Sequence, residues 1–255
     1  MTVAKKHCGL ASAIGFDANL GAAAAEADAL RDAYVWYDKQ ADNKHTLSFA
    51  VAHGNATDLA VLIRAAGVAS GVLDSLESES QLICGLVLKR TAALPLSQLA
   101  AFKAGATFVP CDPAWPSERT VSILAEANAP VVIADVGDDA DGIVDQVMAG
   151  SCRVAMLVDE RCAVVKVVTS QLLEPKVFSL RDEAKARTGC WPSPEIMYIM
   201  YTSGSTGRPK GCVVPTAGVW HRFKWGTNLL GARLVSNLLT RGRSLHTGQL
   251  TLPCV

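Results

Sequence analysis

One segment of this sequence carries recognisable chemistry. It is Tyr198–Gly211, YIMYTSGSTGRPKG, a hydrophobic run that opens into a glycine-rich loop. Gly204, Gly207 and Gly211 give the backbone freedom to turn through positive φ and to approach a ligand closely. Successive backbone N–H groups in such a turn form a concave anion site. Thr202, Ser203, Ser205 and Thr206 add hydroxyl donors for phosphate oxygens, and Lys210 adds a mobile positive charge. The spacing differs from G-x-x-x-x-G-K-[ST], in which the lysine directly follows the second glycine. The expectation is therefore a phosphate loop of another kind. A flexible Ser/Gly linker is the competing reading. It explains neither the strand-like run in front nor the order Pro209–Lys210 behind.

The elements that must position this loop alternate between strand and helix patterns. Residues 1–45 form a weakly patterned lead-in. From Leu47, apolar residues at steps of three and four (Ala52, Ala56, Leu59, Ala60, Ile63) predict a helix with Gly67 as its stop. Leu82–Leu88 predicts a buried strand. Leu96–Ala104 predicts a helix with Pro95 in its first turn and Gly105 just past its end. Thr107–Val109 reads as a strand ending at Pro110, and Ser117 as the N-cap of a helix running to about Asn128. Pro130–Ala134 follows as a strand, Asp135–Gly142 as an acidic loop and Ile143–Ala149 as a helix. Val154–Val158, Val164–Val168 and, after a polar stretch, Ile196–Tyr201 are further strands. This alternation predicts an α/β fold, a mostly parallel sheet flanked by helices.

Composition narrows the classes. Of 255 residues, 50% are hydrophobic and 19% charged, which is enough for a sizeable core and argues against wholesale disorder. No apolar run suits a membrane span and no signal-peptide pattern opens the chain, so a soluble cytoplasmic protein with no membrane partner is expected. The eight cysteines form no C-x-x-C pair and read as reduced structural thiols. The net charge of zero hides an asymmetry. No Asp or Glu follows Glu195, whereas seven of the 24 basic residues do. No basic stripe interleaved with aromatics supports nucleic-acid binding, and none is expected. Asp138, Asp139 and Asp141 hint at a calcium loop. Gly137 and Met148 occupy the places of its first and last carboxylates, so a solvated turn is expected and no metal ligand is assigned. Trp115 and Trp191 flank prolines and are expected to pack turns. The five histidines show no ligand spacing.

Tyr201–Gly211, YTSGSTGRPKG, resembles the signature loop of the adenylate-forming superfamily, which includes acyl-CoA synthetases, luciferases and the adenylation domains of nonribosomal peptide synthetases. Leu99–Arg119 is similar to the helix–strand–turn that precedes this loop in adenylation domains. Leu47–Val68 is similar to the family's first helical motif. The wording around Tyr198, Tyr201 and Val109–Pro113 (VPCDP) favours the amino-acid-activating branch. The resemblance implies activation of a small-molecule carboxylate by ATP with Mg²⁺, giving an acyl-adenylate that passes to a phosphopantetheine thiol, with a carrier protein as partner. It implies that Thr202, Ser203, Gly204, Ser205, Thr206, Gly207 and Lys210 hold the ATP phosphates.

The chain also departs from that family. Complete members carry, beyond the loop, an aromatic–Gly–Pro–Thr–Glu stretch for adenine and Mg²⁺, an Asp for ribose, and a C-terminal lid with a catalytic lysine; none is found here. Thr216 and Ala217 stand where the family usually has His-Arg. Arg222, Phe223 and Trp225 keep the resemblance, and Gly226–Val255 does not. The expectation is an N-terminal portion of the adenylate-forming fold: 1–45 lead-in, 46–225 partial adenylation domain, 226–255 divergent basic tail. Little or no activity is expected of it alone, and no catalytic residue is assigned. A non-catalytic phosphate-binding remnant is the alternative.

Overall fold

The computed structural model describes residues 32–38, 43–169, 173–189, 191–202 and 209–222. A two-stranded antiparallel ribbon comes first, β1 (Asp32–Asp38) against β2 (Asn43–Ser48). The lead-in expected to be weakly patterned thus contains a strand. Its aromatic and β-branched residues (DAYVWYD) become a strand through pairing with β2. Ser48 caps α1 (Phe49–Ala69), accepting from the Val51 N–H.

The main sheet is built from β3 (Leu82–Val87), β4 (Ala106–Cys111), β5 (Val131–Asp135), β6 (Val154–Val158), β7 (Val164–Thr169), β8 (Ile196–Thr202) and β9 (Lys210–Pro215). Its order is β7-β6-β5-β3-β4-β8-β9. The inner pairings β6–β5, β5–β3, β3–β4 and β4–β8 are parallel; the outer ones, β6–β7 and β8–β9, are antiparallel. The helices are α2 (Ala93–Lys103), α3 (Ser117–Glu126), α4 (Asp138–Met148) and α5 (Glu174–Ala186).

Strand alternation divides the core into two layers. Leu82, Cys84 and Leu86 of β3, Val131 and Ile133 of β5, and Val154 and Met156 of β6 face the layer built with α1, α2 and α5. Val87, Val132, Ala134, Ala155 and Leu157 face the opposite layer, built with Ile123 and Leu124 of α3 and Val144 and Val147 of α4. Helices therefore cover both faces of the parallel centre, as the near-continuous apolar strands require.

Several boundaries differ from the sequence expectation. Gly67 does not stop α1, which continues to Ala69 with Ser70 as C-cap. Its role is space: a Cβ there would meet Leu73 Cδ1 at 2.8 Å and Leu82 Cδ2 at 2.9 Å. β4 runs through Pro110 to Cys111, and Pro110 keeps register with Leu86. The pairing of β4 with β8 is registered at Phe108–Tyr198, so a missing N–H near the strand end removes little of that ladder. Ser117 begins α3 rather than capping it; Pro116 takes the cap position. The stretch from Asp138, expected to be an acidic loop up to Gly142, begins α4. The polar stretch before β8 contains α5, whose Val177, Leu180 and Ala184 face the core while the remaining faces are polar.

Arg64 fixes these pieces relative to one another. Its guanidinium is fully buried on α1 and donates to the Leu76, Ala104 and Ser78 carbonyls. Burial pushes it down to about 10. The loop after α1 and the C-terminal cap of α2 are thereby tied to one side chain. Gly105, at φ 72°, turns the chain out of α2 where the Pro192 carbonyl would lie 2.4 Å from a Cβ.

Candidate functional site

The chain path defines where a ligand can approach. β3 passes through α2 to β4, and β4 returns through α3, on the opposite face, to β5 on the other side of β3. Such a reversal opens a crevice at the C-terminal ends of the two diverging strands. A cleft of about 310 Å³ lies there. It is walled by Val87 and Lys89 beyond β3, Ala134 and Asp135 at the end of β5, and Trp115 before α3. The Asp135 carboxylate accepts the Lys89 N–H, and burial raises its pKa. Sequence reasoning missed this cleft because only the strand order creates it.

The glycine-rich segment sits two strands away. β8 lies beside β4 and pairs antiparallel with β9, and the last rung of that hairpin joins Thr202 to Lys210. Thr202 Oγ1 donates to the Lys210 carbonyl at 3.5 Å. The Lys210 side chain is exposed. The structure thus brings two expected phosphate ligands together as cross-strand partners. Ser203, Gly204, Ser205, Thr206 and Gly207 lie outside the described residues.

The two tyrosines of the motif hold the hairpin from opposite faces. Tyr198 stacks on Phe108 of β4, ring centroids 5.5 Å apart, in the α1/α2 layer. Tyr201 lies in the other layer. Gly211 corrects the sequence reading, because it is not at positive φ. It lies within β9 opposite Tyr201, and a Cβ there would meet Tyr201 Cζ at 3.2 Å and Ile199 Cγ2 at 3.1 Å. The glycine after Lys210 makes room for the tyrosine ring instead of bending the loop.

The base of the hairpin is closed by Thr216. Its hydroxyl donates to the Pro194 carbonyl, and its N–H to the Glu195 carbonyl. A short helix follows at 216–222, and Trp220 makes an edge contact with Phe102 of α2. At the strand entry, Thr107 donates to the Ile196 carbonyl and accepts from Gln81. None of these anchors was visible in the motif.

Other expectations resolve as follows. Cys84, Cys111, Cys152 and Cys162 are buried free thiols, and Cys212 on β9 is exposed and free. Burial pushes Cys111, Cys152 and Cys162 up to about 12, which makes them poor nucleophiles. Trp191 is buried. The Trp115 N–H closes a turn onto the Asp112 carbonyl, as expected of a packing residue, and its ring also carries the Arg119 guanidinium. Among the described residues no cluster of three His, Cys, Asp or Glu could hold a metal, and no helix is long and apolar enough to cross a membrane. The donors at Thr202 and Lys210 fit phosphate. Neither is a carboxylate, so the hairpin by itself is not an Mg²⁺ site.

Residues 22–236 match the AMP-binding enzyme family, and the chain belongs to that adenylate-forming family. Novobiocin biosynthesis protein H of Streptomyces niveus is 34% identical over 177 residues, which is 69% of this chain and 26% of the relative. Syringomycin synthase SyrB1 of Pseudomonas syringae pv. syringae is 31% identical over 178 residues, 70% of this chain and 24% of that protein. Nonribosomal peptide synthetase agiA of Aspergillus flavus is 31% identical over 142 residues, 56% of this chain and 2% of its own length. The chain thus spans about a quarter or less of these relatives. A red-emitting luciferase from Phrixothrix hirtus shares the fold, with TM-score 0.57 and 14% identity over 82% of this chain and 47% of the luciferase. The fold is α/β, a mixed sheet flanked by helices.

Proposed function

We propose that this chain supplies the phosphate-gripping part of an adenylation unit that activates a carboxylate, an amino acid, with ATP. The observation that carries the reading is the β8–β9 hairpin, which pairs Thr202 with Lys210 at the two ends of the glycine-rich segment. In the proposed reaction a carboxylate oxygen attacks the α-phosphorus of ATP. The bond from that phosphorus to the bridging oxygen breaks, and pyrophosphate leaves with the electron pair. Lys210 and the hydroxyl of Thr202 hold the β- and γ-phosphates and stabilise charge on the departing pyrophosphate, with Ser203–Gly207 completing the grip. β8 is anchored by Tyr198 and Thr107 and the end of β9 by Thr216, which fixes the backbone at Thr202 and Lys210; the Thr202 hydroxyl turns from the Lys210 carbonyl to donate to phosphate. Members of the family use ATP with Mg²⁺; the ion's carboxylate ligands would lie outside the β8–β9 hairpin, and no step here depends on it.

The nonribosomal relatives favour an amino-acid substrate and a carrier-protein phosphopantetheine thiol as acceptor. A second reading is a phosphate-binding remnant without catalysis, favoured by a hairpin that pairs phosphate donors but carries no carboxylate.

Calorimetric titration with ATP, with and without Mg²⁺, tests the shared part of both readings. Saturable binding that weakens by about tenfold or more in Lys210→Ala is expected. A folded protein that binds no ATP sinks the proposal. Amino-acid-dependent pyrophosphate exchange then separates enzyme from remnant.

A further inference from the structure

Arg119 plays no part in the phosphate grip proposed above, yet it occupies the neighbouring strand end. It is the third residue of α3, whose first turn lies at the C-terminal ends of the strands. Its guanidinium stacks 4.3 Å from the centroid of the Trp115 ring. Its Nε is buried without a hydrogen-bond partner, and among the described residues no carboxylate forms an ion pair with it.

Its position relative to the hairpin follows from register. Phe108 pairs with Tyr198, so three residues further along each strand Cys111 comes level with Tyr201. Both are buried in the α3 layer. Burial pushes the Cys111 thiol up to about 12, and the Arg119 charge acts on it in the opposite direction. β4, from whose end the chain runs through the 112–116 turn into α3, lies one strand from Tyr201 and Thr202.

A guanidinium held flat against an indole loses little freedom on binding and keeps its N–H donors in a fork that matches a phosphate. We propose that Arg119 is a second cation of the phosphate site, reaching from the Trp115 ring to the nucleotide phosphates held at Thr202 and Lys210. Trp115 then has two faces of use: it walls the cleft at β3 and β5, and it steadies a positive charge beside β4 and β8. This inference rests on the phosphate-binding reading above.

The test is calorimetry with inorganic pyrophosphate and with ATP at several KCl concentrations, on wild type, Arg119→Gln and Lys210→Ala, with thermal unfolding as the check on folding. Arg119→Gln is expected to weaken both ligands about tenfold and to flatten the salt dependence, because one screened charge contact is gone. A loss of affinity with an unchanged salt dependence assigns Arg119 to holding the 112–116 turn and overturns the proposal. So does wild-type affinity in Arg119→Gln beside a weakened Lys210→Ala, a result that leaves the phosphate-binding reading standing. A folded wild type that binds neither ligand overturns both. Should the glutamine variant unfold, Arg119→Lys decides. It keeps the charge and loses the planar fork, so several-fold weaker pyrophosphate binding supports the proposal and wild-type binding overturns it.

Discussion

The parallel centre of the sheet and the β8–β9 hairpin solve the same folding problem in different ways. β3, β5 and β6 are covered on both faces, and nearly all their residues are buried. Their stability comes from apolar area removed from water, and the arrangement tolerates no polar side chain without partners. β9 is exposed along almost its whole length, with Val213 54% exposed. The hairpin is held by a few specific contacts: the Tyr198–Phe108 stack, the fit of Tyr201 over Gly211, and the hydroxyls of Thr107 and Thr216. The difference teaches where ligand chemistry can reside. A lysine that must meet phosphate needs water access before binding, and only the thinly covered edge provides it.

Three substitutions sharpen or break that contrast. The largest effect is expected from Arg64→Met in the centre. It would leave the Leu76, Ser78 and Ala104 carbonyls without their donor, at a cost of about 3 kcal/mol or more. The denaturation midpoint measures it, and a loss below about 1 kcal/mol would show that these carbonyls find other partners.

A smaller effect is expected at the edge. Thr216→Val removes one hydroxyl from the Pro194 carbonyl and should cost about 1–2 kcal/mol. Its signature is local: faster amide exchange in β8 and β9 with β3–β5 unchanged. Equal acceleration in both regions would break the distinction between a self-sufficient centre and a pinned hairpin.

The smallest concerns pH. Burial raises the pKa of Asp135, so the folded state favours the protonated carboxyl more than the unfolded chain does. Its contribution is therefore full below the unfolded pKa, near 3.9, and declines as pH rises through the folded value. Asp135→Asn keeps an acceptor for the Lys89 N–H and removes the charge. A modestly higher Tm at pH 7, with the difference vanishing toward pH 4, is expected. A lower Tm at pH 7 would mean that the carboxylate is compensated by charge instead of strained by burial.

Much of this was legible in the linear chain. Continuous apolar runs such as Leu82–Leu88 and Val154–Val158 have few ways to satisfy both faces, so their strand character and the α/β alternation followed from composition and period. The glycine, hydroxyl and lysine content of Tyr198–Gly211 likewise named a ligand chemistry without a fold. The sequence misled where one residue type serves two purposes. Gly67 and Gly211 read as turns, but a Cβ at Gly67 would clash with Leu73 and Leu82, and one at Gly211 would crowd Ile199 and Tyr201. Asp138–Gly142 reads as loop because it has no apolar period of its own, yet it belongs to the helix that carries Val144 and Val147. α5 was overlooked because its core-facing stripe is only Val177, Leu180 and Ala184 in an otherwise polar stretch.

What the sequence determined by itself was the class of fold, the family, and the chemistry of one loop, because these depend on local propensity, period and residue type. The tertiary structure alone decided the strand order. That order opens a cleft between β3 and β5 and lays β8, with Tyr198, beside Phe108 of β4. These are relations between residues far apart in the chain, and no local pattern encodes them. They arise when apolar layers on two faces of one sheet close together and carry their polar passengers to the same edge.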